Sequence, residues 1–372
     1  MRLTIRSQGN RNMRAAVCRA FGEPLVVEDV VLDPPGPGEL KVAVAACAIC
    51  HSDIMYAEGG WGGALPAVYG HEAAGVVDEV GEGVSGFKAG DHVVVTLIRS
   101  CGNCPACAQG TPVTCETRFA LDAKSPLRRR DGQPLVHGLR TAAFAEYVVV
   151  EASQVVVIPK SLPFDSASLL ACGVITGVGA VTNTAAMRPG ASVAVIGAGG
   201  VGLNTIQGAA IAGAQIVVAL DVIDAKLEAA RRFGATHALR GDQAGVVEEV
   251  RRLCGGRGAD YVFVAVGAKP AIGQAFGMAA RSGAVVLVGI PASGVKVEID
   301  PGDIASDNQR ILGSKMGGAR IRHDIPNLVG LYQKGILKLD ELISGRYPLE
   351  RINDAIASVK RGEALRNVVV FR

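Results

Sequence analysis

The sequence predicts an α/β chain of two domains, one a turn-rich antiparallel β domain and the other a doubly wound parallel sheet of six strands. Three observations carry this expectation. The 372 residues are enough for two domains at about 150 residues each. Strand-like and helix-like runs alternate over roughly 174–315, the pattern of a parallel sheet with crossover helices. Short β-rich runs broken by Pro and Gly fill 14–150. With 49% apolar and 20% charged residues, the chain can bury a core and is not expected to be disordered. A formal charge of +3 is too balanced for a chain whose main task is holding nucleic acid or an acidic membrane surface.

Taken in order, residues 1–12 read as a loose extension, and the folded part starts near Met13. The opening stretch has no apolar h-region, so no secretory signal is visible. LKVAVAAC, EAAGVVDEVG, DHVVVTLI and AEYVVVE read as strands of the β domain. Cys47 ends the first of these, and Cys47, Cys18 and Cys254 read as packing residues, although Cys47 and Cys50 also match the C-x2-C spacing of a redox pair. The run Arg128-Arg129-Arg130 reads as a solvated loop. Residues 166–187 and 191–220 carry no charge, and the second is long enough to cross a bilayer. Their glycines and polar residues favour buried soluble structure instead.

Cys101, Cys104, Cys107 and Cys115 form C-x2-C-x2-C-x7-C, with Gly102, Pro105 and Gly110 supplying turns. Thiolates at this spacing can converge as structural zinc requires. An iron–sulfur cluster is the weaker alternative, because no second cysteine set is present. Cys50, His71 and Cys172 would make a Cys2His set, the open arrangement of catalytic zinc. Their spacing is weak evidence by itself, and a His beside a Glu, as in His71-Glu72, is more often an ordinary pair.

SVAVIGAGGVGLNTIQGAAIAG reads as a strand, then Gly197-x-Gly199-x-x-Gly202, then a helix. Gly197 allows the tight turn, Gly199 the approach of a pyrophosphate, and Gly202 close helix packing. The helix start at Gly200 and Val201 offers N–H groups to the phosphates. The next strand, QIVVAL, ends at Asp221, which can bind both ribose hydroxyls and would repel a 2′-phosphate, favouring NAD over NADP. The alternation continues through AKLEAARRFGA (helix), THALR (strand), QAGVVEEVRRLCGG (helix), DYVFVAV (strand), PAIGQAFGMAARSG (helix) and AVVLVGI (strand), to a sixth strand near RILGS. From Met316 the chain is expected to return to the first domain. That gives one domain of 1–173 plus 316–372 and a Rossmann NAD-binding domain of 174–315.

With these motifs in place, the chain resembles the zinc-dependent medium-chain alcohol dehydrogenases over about 14–372, and within them the dimeric branch of class III and aryl-alcohol enzymes. The resemblance rests on GEPLVVEDVVLDPPGPGEL, CAICHSD, YGHEAAGVVDEVGEGV, the cysteine lobe, ACGVITGVGA, IGAGGVG and ALRNVVVF. It implies a GroES-like catalytic domain beside the Rossmann domain and reversible oxidation of alcohols with NAD. It implies two zinc ions per chain, a catalytic one on Cys50, His71 and Cys172 and a structural one on Cys101, Cys104, Cys107 and Cys115. Glu72 matches a carboxylate near the catalytic zinc, Asp53 the acid that orients the ligating His, and Ser52 the hydroxyl that accepts the alcohol proton. His51 and Arg366 match residues on the coenzyme pyrophosphate, and Lys226 one near the adenosine ribose. Trp61 and Leu97 match pocket positions, which suggests a medium-chain or aromatic primary alcohol.

Two positions depart from the family pattern. Met55 stands where several relatives carry a proton-relaying His. Phe119, with Arg118 beside it, stands where the S-(hydroxymethyl)glutathione (formaldehyde) branch carries an Arg. That branch and the secondary-alcohol or polyol dehydrogenases are the alternatives. A zinc-ribbon module on nucleic acid is the remote one, since no Lys or Arg lies between Cys101 and Cys115. The expected partners are a small alcohol or aldehyde and a second copy of the chain, a dimer rather than a tetramer, with no nucleic acid and no membrane. The cytoplasm is the expected location.

Overall fold

The computed structural model describes residues 10–371. The chain begins β1 (Arg11–Cys18), β2 (Val26–Leu32), β3 (Glu39–Ala48), α1 (His51–Ala57), β4 (Ala67–Val68), β5 (Glu72–Val80) and β6 (His92–Val95). The short helix α2 (Pro105–Ala108) lies in the cysteine loop. It is followed by α3 (Ala120–Ala123), β7 (Leu127–Arg129), β8 (Val136–His137), β9 (Tyr147–Glu151), β10 (Val155–Val157) and α4 (Phe164–Ser168). After α5 (Gly173–Gly179) come β11 (Ser192–Ile196), α6 (Gly200–Ile211), β12 (Ile216–Asp221), α7 (Asp224–Arg232), β13 (His237–Arg240) and α8 (Val246–Leu253). The alternation ends with β14 (Ala259–Val264), α9 (Lys269–Met278), β15 (Ala279–Leu287), α10 (Pro301–Ser306) and β16 (Arg310–Gly313). The last elements are α11 (Ile321–Gln333), β17 (Ile343–Tyr347), α12 (Ile352–Lys360) and β18 (Arg366–Val370).

Contacts divide the chain into two units. The first holds the chain up to Cys101, then Glu116–Ala171, and the chain from Ile343 onward; the second holds Gly102–Cys115 and Cys172–Leu342. The return to the first unit therefore comes at Ile343, later than the Met316 that the motif pattern suggests. Side chains explain the difference. Asn183 Nδ2 donates to Asp324 Oδ2 at 3.1 Å, and the Gln207 amide bonds the Lys338 backbone at both N and O. These contacts fasten α11 and the segment after it to the second unit.

The first unit is built on two sheets. Five strands run in the order β7-β2-β1-β4-β8, and seven in the order β10-β6-β5-β3-β18-β17, with β9 also on β3. Pairing is antiparallel except for β4 with β8 and β17 with β18. Val- and Ala-rich strands suit this pleated, half-buried setting, and their inward residues enclose Leu32, Leu40, Ile54 and Phe144. The expected loose extension is corrected at its end: Arg11 and Asn12 belong to β1, opposite Leu32 and Val31, while residues 1–9 lie outside the described residues. The arginine run is corrected too. Arg128 and Arg129 lie in β7 on the edge of β2, Arg130 turns out of it, and the three pair with Asp33, Asp131 and Asp29, respectively. An edge strand tolerates such charges because its outer side meets water.

The second unit holds a parallel six-stranded sheet ordered β13-β12-β11-β14-β15-β16. The order reverses at β11, the arrangement in which the right-handed crossovers usual for parallel strands place helices on both faces of a sheet. Residues Ala279–Gly283, expected at the end of a helix, begin β15 instead, because Ala279 pairs with Ala259 of β14. No single helix among the described residues is long and apolar enough to cross a membrane.

Helices α5 and α6 pack so closely that a Cβ on Gly177 would lie 2.5 Å from the Val201 carbonyl and 2.7 Å from Thr205 N. Gly273, exposed in α9, has nothing within 4 Å of its would-be Cβ. Gly177→Ala is therefore expected to destabilise the protein by about 2 kcal/mol or more through overpacking. Gly273→Ala should stabilise it by up to about 1 kcal/mol. Thermal unfolding of the two variants beside wild type checks both signs.

Candidate functional site

The first cluster is built around helix α1. Cys50 caps its N-terminus, and His51, Ser52 and Asp53 form its first turn. His51 is exposed, Ser52 is half-buried, and Asp53 is buried. The Asp53 carboxylate accepts the Cys50 N–H at 3.0 Å and the Gly70 N–H at 2.9 Å, and it lies 2.9 Å from His71 Nδ1. One side chain thus pins both Cys50 and His71. Gly70 has φ +93°, and a Cβ there would lie 2.5 Å from Phe144 N, so glycine is required before His71.

With Nδ1 donating to Asp53, the His71 ring presents Nε2, which is fully buried with no hydrogen-bond partner. Burial pushes the His71 imidazole down, but the Asp53 carboxylate and the Cys50 thiol push it up by more. Cys172, the N-cap of α5, completes the group: ligand atoms of Cys50, His71, Glu72 and Cys172 all lie within 4.8 Å of one another, and all four residues are buried. Two thiols, an imidazole nitrogen left without a partner and a carboxylate suit zinc with an exchangeable position. The carboxylate is not idle. Glu72 forms an ion pair with Arg366, itself buried at the start of β18. Burial raises the Glu72 carboxyl to about 7, against the pull of Arg366. Arg366, expected at the coenzyme phosphates, thus has Glu72 as a partner, which the sequence did not suggest.

The second cluster is the cysteine loop. Cys104 caps α2, Cys107 lies within it, and Cys115 follows a turn at Pro112–Thr114. The thiols of Cys101, Cys104, Cys107 and Cys115 also lie within 4.8 Å of one another. An all-thiol tetrad supplies all four ligands itself and so suits a closed structural zinc site. The stem of the loop depends on a residue that the sequence reading passed over. Arg99 is buried and bonds Gln154 Oε1 at 2.9 Å, Asp122 Oδ1 at 2.8 Å and the Arg140 carbonyl at 3.2 Å. Its signal was a lone Arg ending the apolar run HVVVTLI.

The glycine turn follows β11, where the strand order reverses and ligands of such sheets bind. Gly197 has φ +97°. A Cβ on Gly202 would lie 1.7 Å from the Gly197 carbonyl, whereas one on Gly199 would meet nothing within 4 Å. The turn is therefore closed at Gly202 and open at Gly199, before the α6 N-terminus at Gly200 and Val201. Asp221 ends β12 and braces the turn, accepting Ala198 N at 2.7 Å and Ile223 N at 3.0 Å. Lys226 lies in the first turn of α7. Trp61 packs edge-on against Tyr56, with ring centroids 5.2 Å apart, and Leu97 is half-buried just after β6.

Comparisons with known proteins agree with this fold. Residues 36–160 match the alcohol dehydrogenase GroES-like domain and 200–334 the zinc-binding dehydrogenase family. A class-3 alcohol dehydrogenase from Cereibacter sphaeroides is 36% identical over 96% of this chain and 99% of its own. An S-(hydroxymethyl)glutathione dehydrogenase from Paracoccus denitrificans is 34% identical over 96% of this chain and 99% of its own. An alcohol dehydrogenase zinc-binding domain protein from Burkholderia ambifaria has a TM-score of 0.93 at 36% identity, over 98% of this chain and 100% of its own. Benzyl alcohol dehydrogenase from Acinetobacter calcoaceticus has a TM-score of 0.91 at 28% identity, over 97% and 100%. Two further structures, from Escherichia coli CFT073 with NADH and Sinorhizobium meliloti with NADP, have TM-scores of 0.81 and 0.82 at 26% and 29% identity, and each covers 97% of this chain and 99% or more of its own.

Asp53→Ala removes the acceptor that orients His71. Zinc affinity of the Cys50–His71–Cys172 cluster is expected to fall about 10- to 100-fold. Competition against a chromophoric chelator measures it, and an unchanged affinity would show that the cluster forms without Asp53.

Proposed function

This chain belongs to the zinc-dependent medium-chain alcohol dehydrogenases, and from that premise we propose that it oxidises a primary alcohol, medium-chain or aromatic, to the aldehyde with NAD, reversibly. That it is an oxidoreductase acting on alcohols follows from the family itself. The observation that carries the reading is the buried group of Cys50, His71 and Cys172, braced by Asp53. The aromatic preference is supported by Trp61 held against Tyr56 and by the likeness to a benzyl alcohol dehydrogenase. NAD rather than NADP is supported by Asp221 at the end of β12. In this reading the first unit, which takes in the chain from Ile343 onward, is the catalytic domain, and the six-stranded second unit is the coenzyme domain.

When bound, zinc supplies a Lewis acid that makes an alcohol acidic at neutral pH, and NAD supplies the hydride acceptor. Cys50, His71 and Cys172 would hold that zinc, and the four loop cysteines a second, structural one. Asp53 keeps a proton on His71 Nδ1 and so leaves Nε2 as the ligand atom. Ser52, in the first turn of α1 beside Cys50, accepts the alcohol proton. Met55 carries no proton, so the path from Ser52 leads to water, to the ribose or to the exposed His51. His51 and Arg366 are assigned to the pyrophosphate, with Arg366 also neutralising Glu72. Gly199, Gly200 and Val201 offer N–H groups to it. Lys226 is assigned to the ribose.

S-(Hydroxymethyl)glutathione is the second reading, favoured by the class-3 relative and by the exposed Arg118. Phe119 beside it lies 5.5 Å beneath the Arg99 guanidinium and brings no charge. We also propose a homodimer. Among the described residues strand β16 pairs only with β15, and Ile311 on it is exposed, as are Ile290, Val295 and Ile299. An apolar sheet edge of this kind suits a second copy. Thiol-rich metal sites suit a reducing compartment such as the cytoplasm.

The test is NAD reduction across primary, benzylic and secondary alcohols, polyols and hydroxymethyl-thiol adducts. Benzylic and medium-chain primary alcohols are expected to turn over fastest. Cys50→Ser is expected to lose turnover and one of two zinc equivalents. Wild-type turnover in that variant would sink the zinc assignment, and preference for the thiol adduct would select the second reading. Light scattering is expected to give twice the chain mass, and a monomer would remove the β16 interface.

A further inference from the structure

Beside the glycine turn lies a group of charges that the proposed reaction does not use. Strands β12 and β13 run parallel, with Arg240, the last residue of β13, in register with Asp221. Gly241 N donates to the Asp221 carbonyl at 3.0 Å and ties the two strand ends together. A guanidinium placed here is a ready partner for a phosphate monoester next to the Asp221 carboxylate. Instead it is taken up by acids. Asp242 receives Nε and Nη2 as a bidentate pair at 3.0 and 2.8 Å, and Asp224, the first residue of α7, receives Nη1 at 3.0 Å. With Asp221 and Lys226, the strand ends carry three carboxylates against two cations.

We infer that Asp224 and Asp242 are specificity-determining residues for the coenzyme. They occupy the donors of Arg240 and cancel its charge, so that NADP is disfavoured by the whole group and not by Asp221 alone. The inference rests on the reading of Asp221 as the ribose ligand. A 2′-phosphate brings about two negative charges, and here it meets a surplus of carboxylate with the local arginine already engaged. Neither pair is buried, since the Asp224 and Asp242 side chains are 79% and 51% exposed. Each pair alone is therefore weak in water. Their effect on a phosphate is electrostatic and falls with ionic strength.

The test is equilibrium binding of NADH and NADPH, read by nicotinamide fluorescence in the intact protein without substrate. Asp224→Asn with Asp242→Asn keeps side-chain size and frees Arg240. In that variant the affinity for NADPH relative to NADH is expected to rise at least about fivefold at low salt, and by less near 1 M salt. Adding Arg240→Gln is expected to remove most of the gain, leaving only what the loss of two carboxylates gives by itself. An unchanged ratio while NADH still binds would overturn the inference and leave the Asp221 reading standing. So would a gain that Arg240→Gln leaves undiminished. No NADH binding by the wild type would overturn the Asp221 reading, and the inference with it.

Discussion

The candidate metal ligands of the first unit, Cys50 and His71, depend on one buried carboxylate. Asp53 is 2% exposed, a placement that an ionised acid tolerates only with its acceptor positions filled. Here they are filled by Cys50 N, Gly70 N and the His71 ring. Those same bonds fix two stretches of chain that are distant in sequence: the start of α1 and the turn entering β5. A thiol and an imidazole nitrogen meet because their backbones are held by one side chain. Gly70 belongs to the same constraint. Its positive φ and the absence of a Cβ let the turn lie against Phe144 N, and only then does His71 reach Asp53.

A second buried charge is arranged with equal economy. Glu72 opens β5 and Arg366 opens β18, and these strands lie on either side of β3. Both carry their charge into a region closed to water, where removing either partner would leave the other uncompensated. The carboxyl that burial lifts to about 7 is therefore balanced by an arginine from the far end of the chain. This explains why the C-terminal β18 belongs to the first unit, although the stretch Cys172–Leu342 before it does not.

The parts of the site that were legible in the sequence are those whose geometry is local. Gly197, Gly199 and Gly202 sit within six residues, so their spacing already encodes a turn and a helix start. The four loop cysteines are equally local, and their convergence follows from α2 and the turn before Cys115. The six-strand alternation was legible because each strand and helix has its own period. Non-local pairings were not. Nothing near Arg366 announces Glu72, and nothing near Arg99 announces Asp122 and Gln154. Cys50, His71 and Cys172 could be grouped only through a resemblance, since three isolated ligands carry no spacing. Arg128–Arg130 misled for the same reason: three arginines read as solvated until Asp29 and Asp33 of the neighbouring segment come beside them.

The coenzyme turn shows why the choice between coenzymes should be sought beyond its most conspicuous acid. In the proposed reading Asp221 has two duties. Its carboxylate would meet the ribose, and it also braces the glycine turn through Ala198 N while accepting Ile223 N ahead of α7. Removing it would change the charge and loosen the turn at once, so any loss of NAD would report both effects together. Asp224 and Asp242 differ in kind. Their carboxylates are mostly exposed and neither bonds the glycine turn, so they shape the electrostatic setting without holding the backbone. Charge at this end of the sheet is thus divided between a residue that the fold needs and residues that the fold can vary. Selectivity among close relatives of one fold can drift at positions of the second kind while the turn itself stays fixed.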